Sequence, residues 1–171
     1  VMSQILLEKM RAIEPLHFTE QERAYASNLQ ASFPDGSIRN TFGWAQKSTP
    51  VTLDAAKMEN PLWTDVLPFN EVPAVSPGST EVGDVSQITP TAQIWTTCWP
   101  FGTPPHSWQT VASTGTSIGF KGMLYAAKVM GLAGLELMTN SEKLAAARSE
   151  FEQRKNGKAY VSPIPDGVVP H

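Results

Sequence analysis

The sequence is poor in the residues that build common catalytic centres. It has one cysteine, Cys98, and three histidines, His17, His106 and His171, in 171 residues. A single cysteine excludes an internal disulfide and points to a reducing, cytoplasmic setting. Paired cysteines, H-E-x-x-H and H-x-D are all missing, so the chain carries no metal signature of its own. A G-x-S-x-G elbow is missing too. The hydroxyl-rich run "HSWQTVASTGTS" at 106–117 therefore reads as caps and turn residues, not as the seat of a serine nucleophile. Charge is scarce: 17% of residues are charged, the net charge is −3, and no basic run exceeds two residues. Nucleic acid and anionic membrane are excluded as partners on that ground. The first ten residues are amphipathic and charged, which is not a signal-peptide pattern. There is no internal repeat.

What is present suits one globular domain. The chain is 41% hydrophobic and long enough to bury a core. Residues 2–13 read as a helix, with Ile5, Leu6, Met10 and Ile13 at helical spacing. Thr19 and Glu22 form a capping box that opens a second helix, running to about Gln30. From Phe33 to Pro77 periodicity is lost among turn signals, and scattered apolar residues predict a long loop packed onto something. "TAQIWTTCW" at 91–99 reads as a central strand, with a shorter one near Glu71–Val75. A helix over 116–138 follows, and a last one over 142–154 starts after Ser141. The apolar stretch 118–138 is broken by Lys121, Lys128 and Glu136. Charges at mid-span are costly in lipid, so the stretch predicts a helix buried on most of its circumference against a sheet. The order of elements predicts an α/β fold, half of a sheet domain whose other half lies elsewhere.

Two places could carry chemistry. His106 sits in "GTPPHSW", 102–108, behind two prolines that stiffen the turn. A position after a central strand and before a helix is where α/β sheets place their sites. A structural role for a lone histidine is the competing reading. "PGSTEVGDVS" at 77–86 puts two glycines and two acids on one turn, either a binding loop or a solvated turn. Trp95, Trp99 and Trp108 are either core residues or a stacking surface. His17 reads as a surface residue and His171 as part of the tail.

The stretch "GSTEVGDVSQITPTAQIWTTCWPFGTPPHSWQTVASTGTSIGFKGMLYAAKVM" resembles the C-terminal part of the B-type amidohydrolases of aminobenzoyl-glutamate utilisation. These enzymes belong to the aminoacylase/carboxypeptidase superfamily of di-metal peptidases. The likeness is dense from Gly78 to Met130 and runs from "FTEQERAYASNLQ" to "YVSPIPDGVVP". It implies that residues 1–171 are the return of a catalytic domain, its central sheet flanked by helices, after a smaller lid domain that often dimerises. It implies two divalent ions, zinc or manganese, that activate a water for cleavage of an N-acyl or aminobenzoyl amino acid amide. His106 takes the position of the family's last metal ligand. Ser79, Glu81 and Asp84 line the cleft loop as substrate-binding residues, with Glu81 where an aspartate is expected. Ser107 or Asp84 would fix the imidazole tautomer. The remaining ligands and the general base would lie in a missing N-terminal half. The rival reading is a non-catalytic assembly or binding module.

Overall fold

The computed structural model describes residues 1–71, 80–165 and 167–168. Seven helices appear among them: α1 (Met2–Ala12), α2 (Glu20–Gln30), α3 (Ser37–Ser48), α4 (Val82–Val85), α5 (Trp108–Thr114), α6 (Ser117–Thr139) and α7 (Ser141–Lys155). A 3₁₀ turn spans Ala55–Glu59.

The described residues contain no strand. The expected α/β fold with a central sheet is therefore corrected: the described residues form helices and no sheet. Residues 91–97 are free of helix, as their β-branched and aromatic content suggests, but no second strand lies beside them among the described residues. Without a ladder partner an extended segment is not a strand. It is held instead by side chains and by α6. The Thr97 hydroxyl donates to the Trp63 carbonyl. A Cβ at Gly122 would lie 2.6 Å from Cys98 Sγ, so only glycine lets α6 lie this close to the segment. The strand expected near Glu71–Val75 falls mostly outside the described residues.

Local rules explain most helix ends. Thr19 Oγ1 accepts from the Glu22 N–H at 3.2 Å, and Glu22 Oε2 accepts from the Thr19 N–H at 2.6 Å. This is the expected capping box. Asn140, one residue before the expected Ser141, caps α7 through a 3.0 Å bond from the Lys143 N–H. The helix stops at Asn156 and Gly157, both at positive φ.

The expected loop from Phe33 to Pro77 contains α3. Its N-cap is Gly36 at φ 82°, which supplies no side-chain cap. The "PDGS" turn signal is real, but it starts a helix rather than ending structure.

The core is three linked clusters. Ile5 and Leu6 of α1 pack with Tyr125, Val129 and Ala133 of α6. Phe18, Ala26, Leu62 and Ile118 form the second cluster, and Ala45, Leu53 and Trp63 the third. The Trp63 and Phe101 rings stack at 4.1 Å. α6 is thus buried along one face only, by α1, the 91–98 segment, Thr114 of α5 and the Phe18–Leu62 cluster. Its opposite face is exposed, against the expectation of burial on most of its circumference.

Candidate functional site

The turn from Pro100 to Thr110 is braced from several sides. Gln30 Nε2 donates to the Phe101 carbonyl at 2.8 Å, and Gln109 Nε2 donates to the Ser32 carbonyl at 3.2 Å. Gly102 sits at φ 89°, where an added Cβ would lie 2.9 Å from Ile38 Cα. Thr103 Oγ1 donates to the Pro100 carbonyl at 2.6 Å. The Pro104 carbonyl accepts from Ser107 Oγ at 2.7 Å and from Thr110 Oγ1 at 3.0 Å.

His106 lies at the centre of this bracing with φ 57°. That left-handed conformation costs a non-glycine residue roughly 1 to 2 kcal/mol. The surrounding bonds hold it there, and the side chain is exposed. The stiff turn expected from the prolines is real. Such strain at a braced, exposed histidine marks a functional candidate.

Ser107 bonds to the backbone of its own turn. Its hydroxyl donates to Pro104 and accepts from the Thr110 N–H at 3.3 Å, capping α5. It positions the turn that carries His106. Glu81 is exposed and stands just before α4. Asp84 Oδ1 accepts from the Tyr160 hydroxyl at 3.1 Å. Burial, together with Asp84 beside it, raises the Tyr160 phenol above its usual value. Among the described residues no hydrogen bond joins His106 to Glu81 or Asp84. Ser79 and Gly78 lie outside the described residues.

The described residues hold no group of three or more His, Cys, Asp or Glu side chains able to bind a metal ion. A divalent ion held by those residues alone does not fit.

Two features are only partly legible in the sequence. The first is a cavity of about 370 Å³ lined by Trp44, Trp63, Trp95, Trp99 and Phe101. Trp44 and Trp95 meet edge to face at 5.7 Å. Trp95 and Trp108 are exposed, so neither is a core tryptophan. The second is the Glu22 cluster, of which the sequence shows only the cap. Glu22 also accepts from Ser117 Oγ at 2.6 Å and Lys121 Nζ at 2.7 Å. Burial pushes its carboxyl up, but the bonds from Lys121, Ser117 and Thr19 outweigh that and bring it to about 2.

Comparison with known proteins agrees with the resemblance read from the sequence. The chain is similar to part of a hydrolase. It is 34% identical over 157 residues to a subunit of the p-aminobenzoyl-glutamate hydrolase of Escherichia coli (strain K12). The match covers 90% of this chain and 32% of the E. coli protein. The chain thus spans about a third of the length of the relative it matches. The aligned region takes in the braced turn and His106, since it leaves out only a tenth of the chain. No family model matches the sequence. No solved structure matches it. Among the described residues no helix is long and apolar enough to cross a membrane.

Proposed function

We propose that this chain is part of a hydrolase that cleaves the amide bond of an N-acyl or aminobenzoyl amino acid. One observation carries the reading: 34% identity over 90% of the chain to a protein whose name states hydrolysis of p-aminobenzoyl-glutamate. The exposed His106 supports it by offering one imidazole on a braced backbone turn. Ser79, Glu81 and Asp84 would face the substrate, and Ser107 would hold the histidine turn. A divalent metal, zinc or manganese, would take its other ligands from outside this chain, because the described residues assemble no ligand set. The chain by itself is then inactive and works with further protein, in a cytoplasmic enzyme.

The test uses the longer protein that contains this stretch. Released aminobenzoate is followed from p-aminobenzoyl-glutamate, with metal content measured on the same samples. His106→Ala should lower both the rate, by about 10- to 100-fold, and the bound metal. An unchanged rate and metal content would remove His106 from the reaction. Absence of any amide hydrolysis by the unmodified longer protein would sink the hydrolase reading and favour a non-catalytic assembly module.

A further inference from the structure

The segment 80–91, which carries Glu81 and Asp84, has little to hold it. No residue in it is buried. Val85 is 46% exposed and Ile88 60%, so apolar packing fixes it weakly. α4 spans four residues and has no side-chain cap, far below the length at which a helix holds by itself in water. Most of its bonds stay inside the segment. The Val82 N–H donates to Thr80 Oγ1 at 3.3 Å, and Ser86 Oγ donates to the Gly83 carbonyl at 2.6 Å. Thr91 Oγ1 donates to the Thr89 carbonyl at 2.9 Å. Among the described residues, one hydrogen bond ties the segment to another part of the chain: the Tyr160 hydroxyl donates to Asp84 Oδ1 at 3.1 Å.

The other end of that bond has the features of an anchor. α7 ends with Asn156 at φ 49° and Gly157 at φ 71°, and the Lys158 N–H returns to the Lys155 carbonyl at 3.0 Å. This left-handed exit turns the chain sharply. Among residues 156–165, Tyr160 alone is not exposed, whereas Val161 and Ile164 stand in solvent. Burial, and then Asp84, hold the phenol above its usual value, so it remains a donor at neutral pH.

An ionised carboxylate has about four acceptor sites, and the phenol takes one. Asp84 can therefore be moored and still accept from a substrate N–H, such as the amide of an N-acyl amino acid. We propose that Tyr160 is a positioning residue, whose hydroxyl moors Asp84 and the 80–91 segment for substrate binding. This rests on the reading of Asp84 as a substrate-facing residue of a hydrolase.

Two variants of the longer protein that contains this stretch test it. Tyr160→Phe removes the hydroxyl and keeps the ring. Asp84→Asn keeps an acceptor oxygen for Tyr160 and removes the charge. In hydrogen exchange without substrate, Tyr160→Phe should make the amides of 82–89 exchange at least about tenfold faster, with those of α6 unchanged. With p-aminobenzoyl-glutamate, the same variant should raise KM about tenfold while kcat moves less than about twofold. Asp84→Asn should raise KM without speeding exchange, and the double variant should raise it by less than the product of the two single effects. Unchanged exchange in Tyr160→Phe would overturn the mooring. Faster exchange with KM unchanged, in an enzyme whose KM does respond to Asp84→Asn, would leave Tyr160 a structural contact and overturn its positioning role. A KM that ignores Asp84→Asn, or no hydrolysis at all, would instead overturn the reading of Asp84 on which the proposal rests, and the proposal with it.

Discussion

His106 and Glu22 show how much a single residue's role depends on distant partners. His106 is conspicuous in the sequence because prolines precede it. Its positive φ is not legible there, since the bracing comes from Ser107, Thr110 and the Gly102 contact with α3. The strain makes a prediction. His106→Gly should raise the thermal midpoint by about 2 °C, because glycine adopts this φ freely. His106→Ala should not raise it. A scanning-calorimetry trace in which both variants shift alike would show that the turn is unstrained. Glu22 is legible as half of a capping box, but its partners Ser117 and Lys121 lie about a hundred residues on and leave no local signal. Its carboxyl is held at about 2, below the ordinary 4.5. A depressed carboxylate stabilises the fold fully above 4.5, and the contribution is lost as pH falls from 4.5 towards 2. Glu22→Gln should therefore cost about 2 kcal/mol at pH 7. The gap between variant and unmodified chain should shrink to under half at about pH 3. Urea titrations at the two pH values measure it, and an equal gap at both would remove the linkage.

Among elements, α6 is the most informative. Its existence and near boundaries follow from its apolar run, and its four glycines suggest points of close approach. Two of them are. At Gly122 a Cβ would collide with Thr97 and Cys98, so Gly122→Ala should destabilise by about 2 kcal/mol or more. At Gly131 space is open, and Gly131→Ala should stabilise the helix by about 1 kcal/mol. Denaturant midpoints moving in the same direction for both would contradict this division. The elements that the sequence conceals share a cause. α3 starts from a glycine without a side-chain cap, and α5 starts from Ser107 inside a run of hydroxyls that reads as turn. The 91–99 segment misleads differently. Alternation marks a segment willing to be a strand, but a strand exists only where a second one pairs with it, and pairing is written nowhere in the segment itself.

The whole molecule is held by contacts between distant parts of the chain. Ile5 and Leu6 pack on Tyr125 and Val129. Tyr125 Oη donates to the Met10 carbonyl at 2.8 Å. Glu136 of α6 binds both Lys9 of α1 and Lys143 of α7. Those two lysines, with Lys143 first, hold the Glu136 carboxyl below its ordinary value. A chain lacking residues 1–13 should therefore show no cooperative thermal transition by circular dichroism. A surviving sharp transition would mean that the Phe18 and Trp63 clusters fold without the first.

The packing of α1 on α6 also sets an order of events during synthesis. Ile5 and Leu6 leave the ribosome more than a hundred residues before the α6 residues that bury them. At about 5 to 20 residues per second, that apolar face waits roughly 6 to 25 s for its partner. Throughout that interval the apolar face of α1 lies uncovered by α6 and is open to a holdase chaperone.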